Sequence, residues 1–92
     1  MIMTSIDQIR RLNPCTRGYA KLYKLYHPKY GMKNEFPMSS LLDTHPWPDV
    51  ELVLRRLGYD EIAKKVVIIM RSDLHGARFI AAFKAILDEG EV

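Results

Sequence analysis

The segment His45-Pro46-Trp47-Pro48-Asp49-Val50-Glu51-Leu52-Val53-Leu54-Arg55-Arg56-Leu57-Gly58 constrains the fold of this chain more than any other stretch. Pro48 suits the first helical position, where a missing N–H has no intrahelical partner to lose. Asp49 and Glu51 put negative charge at the positive pole of a helix, and Arg55 and Arg56 put positive charge at its negative pole. Gly58 can take the left-handed backbone that closes a helix. Val50, Val53, Leu54 and Leu57 recur at i, i+3, i+4 and i+7 and form one apolar stripe. Such a stripe must be covered, so the segment reads as a core helix, with Trp47 wedged at its entrance.

The flanking sequence carries similar punctuation. Ser5 and Gln8 have capping-box spacing, with Thr4 as the alternative cap, ahead of a short helix whose inner edge is Ile6, Ile9 and Leu12. Asn13-Pro14 reads as the cap and first position of a second helix. That helix is expected to run from about residue 14 to residue 26, because a residue before proline, here His27, is pushed out of the helical region. Residues 28–34 have turn chemistry and no period, which predicts a loop. Phe36 to Asp43 reads as a short helix or single turn with Leu41 and Leu42 tucked in.

Asp60 is the expected cap of the following helix. Val66-Val67-Ile68-Ile69 is β-branched and would suit a strand, but Asp60 to Lys65 leads into it at helical spacing and no partner strand is visible. Ser72 is the expected cap of a last helix carrying Phe79, Ile80, Phe83, Ile86 and Leu87, with Gly90 as its stop. The sequence leaves open whether residues 60–88 form one bent helix or two. Asp88, Glu89 and Glu91 lie at the negative pole, so the end of this helix is expected to fray. The expected fold class is all-α, a compact small bundle of about four main helices plus one or two short helices.

At 92 residues the chain forms one domain, residues 1–92, able to bury roughly 60–65% of its unfolded surface. A single cysteine, Cys15, rules out an intramolecular disulfide and a thiolate metal cage. No basic segment with an apolar run opens the chain, and no stretch reaches about 18 consecutive apolar residues. A soluble protein of the cytoplasm is expected, without membrane partners. His27, His45 and His75 are dispersed, so no metal and no cofactor is expected. Cys15 lies in a first helical turn near Arg17, which would favour a thiolate. Its place in the apolar pattern favours a small buried hydrophobe instead. The scattered glycines and carboxylates offer no phosphate loop and no acid/base pair, so enzyme activity is not expected.

The remaining signal is charge. Residues 1–34 hold seven basic side chains against Asp7 alone, whereas residues 35–92 carry a net charge of −3. Arg17, Lys21 and Lys24 fall on one helical stripe, Arg10 and Arg11 precede it, Lys29 and Lys33 follow it, and Tyr23 and Tyr30 lie alongside. Any one of these lysines needs no explanation beyond solvation, but the asymmetry exceeds what solubility requires. Such a surface can dock on an acidic patch of a protein with tyrosine and arginine as anchors, or bind phosphates while aromatic rings stack on unpaired bases. A helix-turn-helix is not recognisable, which disfavours sequence-specific DNA readout.

Leu12-Asn13-Pro14-Cys15-x-x-Gly18, followed by a Trp47-led helix ending Leu57-Gly58, resembles small helical proteins of unknown function encoded by phages and prophages. The resemblance covers residues 12–58, on packing positions, and implies a setting in the cytoplasm of a host cell. In size and charge asymmetry the chain is also similar to anti-CRISPR proteins, an analogy that brings no shared fold. The leading expectation is a non-enzymatic phage-type interaction protein that inhibits a host defence or nucleoprotein complex. Its partner would be an acidic or nucleic-acid-binding surface of that complex. The alternatives are a small nucleic-acid-binding accessory protein and a homo-oligomer enclosing a small anionic ligand, with Trp47, Leu52, Ile68 and Met38 at the subunit interface.

Overall fold

The computed structural model describes residues 1–90, and it is 68% helical with one very small sheet, as the all-α expectation requires. In order, its elements are β1 (Met3–Thr4), α1 (Ile6–Arg10), α2 (Thr16–Tyr30), β2 (Phe36–Pro37), a 3-10 segment (Met38–Asp43), α3 (Trp47–Arg56), α4 (Asp60–Met70) and α5 (Gly76–Glu89). α5 packs on α4 and on the 3-10 segment, α3 packs on α4, and α1 packs on α2. Phe36, Met38, Leu54, Phe83 and Leu87 lie fully buried where these elements meet.

α3 forms where its start and stop signals place it. Pro48 sits in its first turn, Val50 and Leu54 are buried, and Gly58 has φ 93°, a conformation that a side chain would strain. Trp47 is half-buried against Phe79, with ring centroids 4.8 Å apart. Ser5 caps α1, its hydroxyl accepting the Gln8 N–H at 3.2 Å. The β-branched run of residues 66–69 is helical within α4.

The two ends of α2 differ from expectation. Asn13 has φ 52°, a left-handed conformation that asparagine tolerates, so the chain turns there and the helix cap moves to Cys15. At the other end α2 continues through Pro28 to Tyr30 and closes on Gly31, whose N–H reaches the His27 carbonyl at 2.8 Å. Pro28 leaves the Lys24 carbonyl without its helical donor. Aromatic packing holds the last turn regardless: the Tyr30 and Tyr26 rings lie 5.1 and 4.6 Å from the fully buried Phe36. Tertiary burial here outweighs a local preference.

β1 and β2 were not visible as strands because each has two residues. They pair antiparallel, with Met3 opposite Pro37 and Thr4 opposite Phe36. Residues 60–88 resolve into two helices. Ser72 closes the first rather than opening the second, donating to the Ile69 carbonyl at 2.6 Å and accepting from the Leu74 N–H. His75 is the cap of α5, and Tyr59, not Asp60, is that of α4. The end of α5 is tied down instead of frayed: the Ser39 hydroxyl donates to Asp88 at 2.6 Å, and the Ile2 N–H to the Leu87 carbonyl at 2.9 Å. Glu91 lies outside the described residues.

Replacing Pro28 with alanine restores the missing donor inside an exposed helix. Pro28→Ala is expected to stabilise the protein by about 1–3 kcal/mol, read as a higher midpoint in urea denaturation.

Candidate interaction surface

α2 contains no aspartate or glutamate, and Arg17, Lys21 and Lys24 stand exposed along its outer stripe. None of the three has an ion pair among the described residues. Some of the other exposed cations of the bundle are neutralised close by, as in Arg55 with Glu51 and Lys64 with Glu61, whereas Lys29, Lys33, Arg56, Lys65, Arg71 and Arg78 also have no ion pair among the described residues. Arg10 and Arg11 belong to the neutralised kind, because both close on Asp7, at 3.1 and 2.9 Å.

The nine residues singled out by charge and aromaticity therefore do not form one uniform face. Tyr23 is exposed about a third of a turn round α2 from the stripe, its ring stacked on His27 at 4.3 Å. Tyr30 is half-buried and belongs to the core around Phe36, with the Lys29 ammonium 5.4 Å from its ring centre. Lys29 itself lies about a third of a turn round the helix from the stripe, on the other side from Tyr23. Lys33 is exposed in the turn that follows.

Beside the start of α2 the structure has a feature that charge and periodicity did not reveal. A pocket of about 240 Å³ opens between α2, α3 and the segment joining α1 to α2. Its walls include Ile9, Leu22, Leu41, Val50 and Val53, and Cys15, Asp49 and Arg56 also line it. Gly18 forms part of the α2 wall, and a Cβ added there would meet nothing within 4 Å. A glycine inside an amphipathic helix was the one sequence signal for this opening.

Cys15 is exposed, contrary to the buried role expected of it. The reason is the shifted helix start: a cap residue has non-helical backbone and does not share the inner face. The amides of Gly18 and Arg17 face the thiol and lower its pKa from the ordinary 9.0, although none closes a full side-chain capping bond. His45, also on the pocket wall, has both ring nitrogens engaged. Nε2 lies 3.2 Å from the Gly18 carbonyl and Nδ1 2.7 Å from the Thr44 hydroxyl. With Nε2–H donating to that carbonyl, Nδ1 accepts from Thr44, and the ring ties α2 to the residues just ahead of α3. Neither nitrogen is left to act as a base toward Cys15.

The residues set aside for a subunit interface divide. Met38 is fully buried and Trp47 packs on Phe79, so both belong to this chain's own core, while Leu52 and Ile68 are exposed. No helix among the described residues is long and apolar enough to cross a membrane.

Two outcomes follow from these environments. Burial, joined by Lys21, pushes the His45 pKa below its ordinary 6.5, with the Gly18 carbonyl and Asp49 opposing. The folded state thus binds the proton less readily than the unfolded state. Stability should be full above pH 6.5 and decline as the pH falls below it, and His45→Gln should remove that part of a melting-temperature profile. In the native protein at neutral pH, Cys15 should react with iodoacetamide faster than a free cysteine, as judged by intact mass against time.

No protein-family model, curated protein or solved structure matches this chain, so its functional reading rests on these surfaces.

Proposed function

We propose that this chain is a non-enzymatic interaction protein of phage type. It docks the outer face of α2 on an acidic surface of a host defence or nucleoprotein complex and inhibits that complex by occupying it. One observation carries the docking: Arg17, Lys21 and Lys24 form a stripe with no ion pair among the described residues, on a helix that has no acidic residue. Their charge is left for an external counterpart, which speeds encounter and fixes orientation. Tyr23 and Arg17 supply the side-chain types that anchor protein interfaces. The host setting comes from the resemblance of residues 12–58 to small phage and prophage proteins, and inhibition by occupancy from the analogy with anti-CRISPR proteins.

A small nucleic-acid-binding accessory protein is the second reading, favoured by the exposed Tyr23 ring, stacked on His27 of the same helix. The two separate in a pull-down from bacterial lysate, with and without nuclease, using the wild type and the Arg17→Glu, Lys21→Glu, Lys24→Glu triple variant. Docking on a protein predicts partners that survive nuclease and are lost with the triple variant, whose helical circular dichroism stays intact. Partners that vanish with nuclease favour the second reading, and partners retained by the triple variant overturn the proposed face.

A further inference from the structure

We propose that the pocket between α2 and α3 seats one bulky apolar side chain, phenylalanine, tryptophan or leucine, projecting from an acidic segment of the partner protein. This rests on the docking reading above and adds the anchor that charge alone lacks.

Size sets the first limit. About 240 Å³ accommodates a single large side chain, whereas pockets for drug-sized ligands run from about 300 to 1,000 Å³. Chemistry sets the second. The walls are mainly Ile9, Leu22, Leu41, Val50 and Val53, and no buried side-chain nitrogen or oxygen among the described residues lacks a hydrogen-bond partner. The carbonyl of Gly18, on the pocket wall, is held by His45. Nothing inside calls for a polar group, so the occupant of the interior is apolar.

Charge at the mouth identifies what carries that side chain. Arg56 lines the pocket, and Arg17 and Lys21 stand exposed on α2 one and three residues from Gly18, which forms part of the pocket wall. Asp49 is the one acid lining the same mouth. The surroundings are net positive and continuous with the α2 stripe, so a segment rich in aspartate and glutamate complements them. Leu52, 39% exposed on the lip, extends the apolar surface outward. Gly18 keeps the opening clear: alanine would serve a helix better by about 0.5–1 kcal/mol, yet the position is left without a side chain.

The test uses two short fluorescent peptides of aspartate, glutamate and glycine, identical except for one central tryptophan or alanine, with binding read by anisotropy. The tryptophan peptide should bind the wild type about tenfold tighter or more, the scale of an interface hot spot. Gly18→Phe should fill the pocket from its α2 wall and reduce that peptide to the affinity of the alanine peptide, while Gly18→Ala should preserve the difference. A bulky maleimide on Cys15, at the mouth of the unmutated protein, should act like Gly18→Phe. Equal binding of the two peptides to the wild type, lost in the Arg17/Lys21/Lys24 triple variant, would overturn the anchor pocket and leave the basic face standing. A tryptophan advantage that survives both blocks would also overturn it. So would a dimer in sedimentation that Gly18→Phe dissociates, since the occupant would then be a second copy of this chain. Binding of neither peptide at low salt would remove the docking reading together with the pocket.

Discussion

Ile2 holds the bundle closed. It is fully buried, its N–H donates to the Leu87 carbonyl at 2.9 Å, and its carbonyl accepts the Met38 N–H at 2.9 Å. One residue thus joins the opening of the chain to the 3-10 segment and to the end of α5. Gly90 fits this contact because a Cβ there would stand 2.8 Å from the Ile2 side chain. With a single cysteine in the sequence, the closure is made by hydrogen bonds and apolar burial, both of which require the partners to be in place together. The short pairing of β1 with β2 continues the same seam, and the burial of Phe36 at its end brings in Tyr26 and Tyr30 of α2.

That seam leaves α2 at the edge of the bundle. Its inner side is fixed by Leu22, Tyr26 and Tyr30, and its start is tied by the His45 ring to the residues just ahead of α3. Arg17, Lys21 and Lys24 on its outer side face solvent with no ion pair among the described residues. A charged stripe on a helix held at both ends keeps its geometry, and less ordering entropy is lost when a partner meets it. The pocket lies on the inner side of this edge: it opens between α2 and α3 beside residue 18, where α2 has no side chain.

How far the sequence could be read depended on how local the determining forces were. α3 carries its own proline start, dipole charges, stripe and stop within a dozen residues, so it was legible throughout. Ser5, Gly58 and Gly90 marked real boundaries for the same reason. The passage of α2 through Pro28 was hidden because Phe36, beyond the turn, stabilises its last turn. The strands were hidden because two residues have no measurable period, and the orderly end of α5 because it depends on Ile2 and Ser39, far away in sequence. At the candidate surface, the stripe followed from helical spacing. Pairing of Arg10 and Arg11 with Asp7, withdrawal of Tyr30 into the core and exposure of Cys15 followed only from three-dimensional placement.

The departures from local rules are not spread evenly. α3 obeys them nearly everywhere, whereas α2 has a glycine in its first half, a proline in its last turn and no acid in its first turn. Each departure disfavours the helix by an amount comparable to a hydrogen bond or a cap, from tenths of a kcal/mol to about 3. In a domain whose net stability is only about 5–15 kcal/mol, such a concentration on one element is costly. Sequences that break local rules without a gain in packing tend to do so where a surface serves something outside the molecule. On α2 the broken rules coincide with the uncompensated cations, the exposed thiol and the open pocket, whereas α3 supplies the opposite wall on a helix that breaks few rules. On the docking reading proposed above, the two helices divide the work: α3 is the support, and α2 is the element that meets the partner.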